Sequence, residues 1–220
     1  MKNERSLKRV SVGFGLLVFV LLLLFYYHKT ILVEVGKYLA PGGMSKADVL
    51  IMEGGMLIKL SAVKIGLNVI FSGTANCLVA VDQDVIGEDI FALSNYPQLV
   101  AKNLEALGLK KGQYEIIGVP AKHPVTLREA EVVLSLLSKK GVRSAILLTQ
   151  GFHARRSYWA YTRVGLPLGI KIIPLPYFTN YGKEDWWQQA EGVNEFFNES
   201  LKFIYYVLRG YIPLKSLFVT

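Results

Sequence analysis

The 220-residue chain reads as an α/β fold, a parallel sheet with helices on both faces, preceded by one N-terminal transmembrane helix. Three observations predict it. An uncharged apolar run from Val10 to Tyr27 stands apart from everything after it. From Ala47 onward, short apolar runs alternate with segments of helical periodicity, the pattern of strands joined by helical crossovers. Glycine-bearing turns follow several of those runs, at the strand ends where such folds bind ligands.

The apolar run is 18 residues long, near the lower limit for crossing a bilayer, where about 20 apolar residues are typical. Lys2, Arg5, Lys8 and Arg9 precede it against a lone Glu4. Basic flanks stay cytoplasmic, so the N-terminus is expected inside and the remainder across the inner (plasma) membrane. Tyr26, Tyr27 and Lys29 close the far end as interfacial anchors. A cleaved signal peptide would carry a shorter apolar region and a small-x-small site, which Phe25 to Lys29 does not offer. The expected division is a cytoplasmic 1–9, a membrane span 10–27, a connector 28–46 with a turn at Pro41-Gly42-Gly43, an α/β domain 47–210 and a tail 211–220.

The charge balance follows that topology. The net charge is +8, but the segment up to Lys29 holds five basic residues and one acidic, leaving 20 basic and 16 acidic beyond it. That residue is a mildly basic surface and not the clustered stripe of a nucleic-acid binder. Cys77 is the only cysteine, which excludes an intrachain disulfide. Three histidines without paired ligand spacing argue against a metal site.

Within the domain, Val49 to Met52 reads as the first strand, followed by Glu53-Gly54-Gly55 and a helical stretch through Val63. Val69 to Phe71 reads as a second strand ending at Ser72-Gly73-Thr74, while Asn76 to Asp89 is either a short strand or a loop. Tyr96 to Leu107 has helical spacing. Glu115 to Ile117 gives a third strand ending at Gly118-Val119-Pro120. Thr126 and Glu129 match a capping box, with Leu127, Ala130, Leu134 and Leu137 on the buried face behind it. Ala145 to Leu148 is a fourth strand, followed by Thr149-Gln150-Gly151-Phe152-His153-Ala154-Arg155-Arg156 and a helix to about Val164. Ile170 to Ile173 makes a fifth strand, stopped by Pro174 and Pro176. The last helix, from about Val193 to Leu208, places Phe197, Leu201, Ile204 and Leu208 on one face.

The loop from Thr149 to Arg156 is the strongest functional signal. First-turn N–H groups lack helical partners, and the helix dipole favours negative charge there. His153, Arg155 and Arg156 work against that dipole, a cost that a bound anion would offset. Glu53 offers an acid or base at a neighbouring strand end, or an ion-pair partner for Arg155 or Arg156. Gly54 and Gly55 allow close backbone approach, and Ser72, Gly73, Thr149 and Gln150 add polar ligand-binding groups. There is no Gly-x-Gly-x-x-Gly fingerprint, so a nicotinamide cofactor is not indicated, and no Walker A sequence; the missing nucleophile elbow leaves covalent catalysis without support, and the sequence names no cofactor. Trp186 and Trp187 cannot both face one core; one is expected inward, the other in a groove, on a membrane or against a partner.

Taken together, Ala47 to Gly55, Ser72-Gly73, Thr126 to Ala130 and Thr149 to Arg156 resemble the YdcF/SanA/ElyC family of bacterial envelope proteins. The Glu-Gly form of the first motif, His-Ala-Arg-Arg and Trp-Trp-x-x-x-Glu-Gly-Val resemble one subgroup of it, and the likeness spans roughly Lys46 to Gly210. It departs from the family pattern at Ser72-Gly73-Thr74 and at Arg128-Glu129. The resemblance implies a Rossmann-like domain behind a membrane helix, with a place in peptidoglycan or surface-polysaccharide biogenesis, and it implies no particular reaction. On this reading Arg155 or Arg156 holds an anionic, phosphorylated or uronic glycan or lipid-carrier ligand, His153 donates a proton or orients, and Glu53 is its opposite number. The rival expectation is a non-catalytic scaffold that steadies a glycan-synthesis complex through its anchor and the Trp186-Trp187 surface.

Overall fold

The structure, a computed structural model, describes residues 2–54, 59–84, 96–120 and 122–219. Helix α1 (Lys2–Leu39) leads into β1 (Ala47–Met52), α2 (Leu60–Phe71), β2 (Ala75–Asp84), α3 (Tyr96–Ala106) and β3 (Tyr114–Pro120). There follow α4 (Val125–Lys139), β4 (Ser144–Gln150), α5 (Ala154–Gly165), β5 (Lys171–Tyr177) and α6 (Ala190–Leu208). The five strands form one parallel sheet in the order β3-β2-β1-β4-β5. The expected α/β fold is therefore present, with its strand order reversing between β1 and β4.

Alternation along each strand builds two cores. Leu50, Leu78, Ala80, Ile146 and Leu148 face α2 and α3, whereas Val49, Ile51, Val79, Val81, Ala145 and Leu147 face α4 and α5. Burial on both faces explains why these strands read as continuous apolar runs.

Helix α1 contains Gly13–Leu39, a stretch long and apolar enough to cross a membrane, and Phe14 to Tyr27 expose their side chains along it. The expected connector is a helix for most of its length, because α1 continues unbroken to Leu39 and docks its end on the domain. Leu39 and Ala40 are buried with Phe152, Trp186 and Phe196, and Trp186 donates its indole N–H to the Leu32 carbonyl at 3.0 Å. Trp186 is the inward tryptophan, and Trp187 packs edge-on against it. The tail also docks: Ile212 and Ser216 are buried, and the Tyr38 hydroxyl donates to the Leu217 carbonyl at 2.9 Å.

Several expected elements are corrected. Val69 to Phe71 is the last turn of α2 and not a strand, since Ala62, Val63, Gly66, Leu67, Val69 and Ile70 recur at helical spacing and are buried. The second strand is β2, which takes up the Asn76 to Asp84 part of the stretch that the sequence leaves open as strand or loop; residues 85–89 lie outside the described residues. Pro174 and Pro176 do not stop β5. As the edge strand it tolerates residues without a backbone donor, and Pro174 turns its carbonyl outward to the Gly43 N–H at 2.9 Å. Phe197, Leu201, Ile204 and Leu208 do share a face of α6, but that face is exposed; Phe196, Phe203, Tyr206 and Val207 are the buried ones.

Candidate functional site

A cavity of about 790 Å³ opens where the strand order reverses, bordered by Met52, Glu53 and Gly54 after β1 and by Leu148 and Gln150 of β4. This is the crevice at which open parallel sheets bind ligands. Lys59 and Ala62 at the start of α2, His153 and Arg156 at the start of α5, and Tyr177 at the end of β5 complete three sides. The fourth side is α6, through Glu191, Asn194, Glu195, Asn198, Glu199 and Lys202.

Glu53 is fixed by the sheet. Its N–H still bonds to the Leu148 carbonyl of β4 at 3.2 Å, so it extends β1 by one residue. Gly54 then passes so close to β2 that a Cβ there would lie 2.9 Å from the Val81 carbonyl oxygen. Across the cleft, Gly151 opens a 3-10 turn (Gly151–His153) with φ +46°, a left-handed conformation that favours glycine. That turn aims His153 back at Glu53.

His153 lies between two carboxylates. Its Nε2 is 3.0 Å from Glu53 Oε1 and its Nδ1 is 3.1 Å from Glu199 Oε2. Burial and the Arg156 guanidinium work to lower the imidazole pKa, but Glu53 and Glu199 outweigh them and hold it up to about 9. The two carboxylates thus favour the protonated ring, with Nε2 donating to Glu53, against the Arg156 Nη2 donor 2.7 Å from Nδ1. Arg156 shares the same counter-ion: Nε and Nη2 donate to Glu199 Oε2 at 3.0 and 2.8 Å, and Nη1 donates to Thr126 Oγ1 at 2.8 Å. Glu199 pays for its burial with these partners, which keep it ionised well below the usual carboxylate range.

Ser157, one turn after His153, donates to Glu53 Oε1 at 2.5 Å and stands 2.8 Å from His153 Nε2. Ser157, His153 and Glu199 thus have the spacing of a nucleophile, a base and an orienting acid. Ser157 is fully buried, does not border the cavity and has committed its proton to Glu53, so the arrangement orients Glu53 and His153 instead of making a nucleophile.

Behind Glu53 lies Glu129, also fully buried. The Tyr161 hydroxyl donates to its Oε1 at 2.7 Å, and the Gln83 amide donates to Oε2. Burial, with the Glu53 charge nearby, pushes its pKa up to about 8, so it is neutral at pH 7. The capping box expected of Thr126 and Glu129 is therefore not formed: α4 starts after Pro124, and both side chains serve the interior of the site.

The structure brings Glu53 and His153 together and places Gly54, Gln150 and Arg156 on the cavity wall. Gly55 lies outside the described residues. The remaining candidates are displaced. Ser72 and Gly73 precede β2, at the opposite end of the strands from the cavity, because the strand they were expected to end is a helix. Thr149 is buried, its hydroxyl on the Leu147 carbonyl at 3.5 Å, and it does not border the cavity.

Arg155 points away from the cleft. It is 1 % exposed and donates to the carbonyls of Tyr38, Ser216 and Val219 at 2.9, 2.5 and 2.6 Å, with its guanidinium 3.6 Å over the Tyr38 ring. It ties the end of α1 to the tail and binds no ligand in the cavity.

Carboxylates of the protein already face the cations of the loop. Glu195 Oε1 accepts the Phe152 N–H at 3.1 Å, and Glu53 and Glu199 neutralise the cations. Burial raises the Glu195 pKa. From sequence, Glu191 stands out only within the Trp-Trp-x-x-x-Glu-Gly-Val motif, and Glu195 and Glu199 are missed; their four-residue spacing with it places all three on one helix face.

No family model, no curated protein and no solved structure matches the chain. Among the described residues, no group of three or more His, Cys, Asp or Glu side chains has the geometry to hold a metal ion.

Proposed function

We propose that the chain is a membrane-anchored protein of the YdcF/SanA/ElyC kind, with its domain on the extracytoplasmic side, working in bacterial envelope or surface-polysaccharide biogenesis. Its cavity binds a glycan or a glycan-bearing lipid carrier. His153 and Glu53 handle a proton at the bound group, His153 as donor and Glu53 as its paired base. Any phosphate or uronic carboxylate on the ligand lies toward Lys59, an exposed cation at the border of the cavity.

The observation that carries this reading is the ion pair of His153 with Glu53 on the wall of the switch-point cavity. His153 keeps 23 % of its side chain exposed, so a ligand reaches it, while two carboxylates hold its proton in place. Perturbed groups of this kind gather at functional sites. A reporter fused after Thr220 should be active only in its exported form. A chain with Glu53 and His153 both changed to alanine should fail to rescue the envelope defect of a deletion strain. Reporter activity in the cytoplasm would overturn the orientation, and full rescue would overturn the site.

One observation favours a second reading, the non-catalytic scaffold. Phe197, Leu201, Ile204 and Leu208 form an exposed apolar stripe on α6. Of the tryptophans only Trp187 is partly exposed, since Trp186 is buried. On that reading, cavity substitutions are silent and Leu201→Glu is not.

A further inference from the structure

Among the described residues the charged groups around the cavity balance: four carboxylates border it, Glu53, Glu191, Glu195 and Glu199, against four basic groups, Lys59, His153, Arg156 and Lys202. At the inner end they are bonded to one another: His153 to Glu53 and Glu199, Arg156 to Glu199, and Lys202 to Glu199 Oε1 at 2.9 Å. Any further charge brought there meets a like charge within the same network and has no free counter-ion. A phosphate or carboxylate faces Glu53, Glu195 and Glu199. An ammonium faces His153 and Arg156.

Uncharged donors and acceptors meet no such cost, and the wall is built for them. Asn194 and Asn198, one turn apart on α6, each present an amide with both a donor and an acceptor end. Glu191 and Glu195 alternate with them as acceptors, and Tyr177 adds an aromatic face with a polar tip. Glu53 Oε2, without a hydrogen-bond partner among the described residues, is itself shut off from the cavity and is not one of the groups the wall presents. A ring carrying several hydroxyls matches this set of groups, and the volume lies within the range of small-molecule sites.

We propose that the inner end of this cavity takes an uncharged, hydroxyl-bearing ring, the neutral sugar unit of a glycan, in preference to a phosphate, carboxylate or amine. The proposal rests on the glycan-binding reading above and narrows it: a charged group of the ligand stays outside, and α6 selects the neutral ring.

The test uses three probes that share one ring: methyl glucoside, glucuronate, and glucosamine at a mildly acidic pH where its amine is charged. Each is titrated into the full chain in nanodiscs, and the His153 ring and Asn194 and Asn198 side-chain amide signals are followed by NMR. Methyl glucoside should bind at least about tenfold tighter than either charged relative, the discrimination expected where a misplaced charge goes unpaired. Asn194→Leu combined with Asn198→Leu should weaken it by a similar factor. If that variant does not fold, the three-probe comparison on the wild type stands by itself. Equal or tighter binding of glucuronate or glucosamine would overturn the proposal while leaving a glycan site in place. Failure of all three to shift any of these signals up to their solubility limits would overturn it as well, with the broader reading then decided by the ligand carried from the cell.

Discussion

His153 Nε2 stands 3.0 Å from Glu53 Oε1, an ion pair between residues 100 positions apart that closes the cleft between the ends of β1 and β4. The ¹³C-labelled imidazole should titrate with a midpoint near 9. Glu53→Gln should lower that midpoint by at least about one pH unit, because burial and Arg156 then face one carboxylate instead of two. A wild-type midpoint at the ordinary histidine value would show that the pair does not hold the proton.

Stability should fall as pH rises from mildly acidic to alkaline. His153 and Glu129 both bind their protons more tightly in the folded chain than in the unfolded one. The Glu129 contribution is lost between its ordinary 4.5 and about 8, and that of His153 between its ordinary 6.5 and about 9. Each group contributes a slope of about 1.4 kcal/mol per pH unit within its window. Glu199 acts in the opposite sense: its folded pKa is depressed, so its contribution is present above the ordinary carboxylate range and lost on acidification. Urea midpoints measured across this range should peak at mildly acidic pH. Glu129→Gln, which keeps the neutral shape, should flatten the decline and be more stable than wild type above about pH 8. A parallel decline in the two proteins would mean that Glu129 is already ionised.

Arg155 and Arg156 are neighbours with separate duties. Arg155→Met leaves three carbonyls of α1 and the tail without their donor and should cost about 3 kcal/mol in urea denaturation. It should also make the tail beyond Ser216 susceptible to protease, while ligand binding in the cavity persists. Arg156→Met should do the reverse, keeping the tail protected and disturbing the His153 titration.

Gly54→Ala should destabilise the chain by about 1–3 kcal/mol, since its Cβ would press on the Val81 carbonyl and β2 cannot yield. At Gly151 a Cβ would overlap the Glu195 carboxylate, on top of the cost of its positive φ. Gly151→Ala in a Glu195→Ala background should therefore cost less than in wild type, a non-additivity readable from thermal melts. Equal costs in both backgrounds would place the whole penalty in the backbone.

The sheet and its helices are legible because short continuous apolar runs mark the doubly buried strands and period 3.6 marks the helices. β1, β3, β4, α4 and α5 follow that pattern closely. The Val69 to Phe71 run misled because three consecutive apolar residues fit a strand as well as a helix end, and only the recurrence back to Ala62 separates the two. The same ambiguity places Ser72 and Gly73 at the wrong end of the strands. Glu53 and His153 were legible from the turns that hold them. Arg155 was not, because nothing local distinguishes an arginine that binds carbonyls of distant segments from one that binds a ligand. Thr126 and Glu129 fitted a local cap so well that their long-range partners, Arg156 and Tyr161, had no visible claim on them. The exposed stripe of α6 drew attention from its polar face, where the four-residue spacing of Glu191, Glu195 and Glu199 marks the cavity wall.

Native mass spectrometry of the full chain, purified in nanodiscs from cells that make it, tests the cavity most directly. The wild type should carry a bound glycan-bearing molecule, and Glu53→Gln and His153→Ala, each shown to be folded, should lose it. Retention of the same molecule by both variants, or a wild type that carries none, would contradict a ligand site at the Glu53–His153 pair.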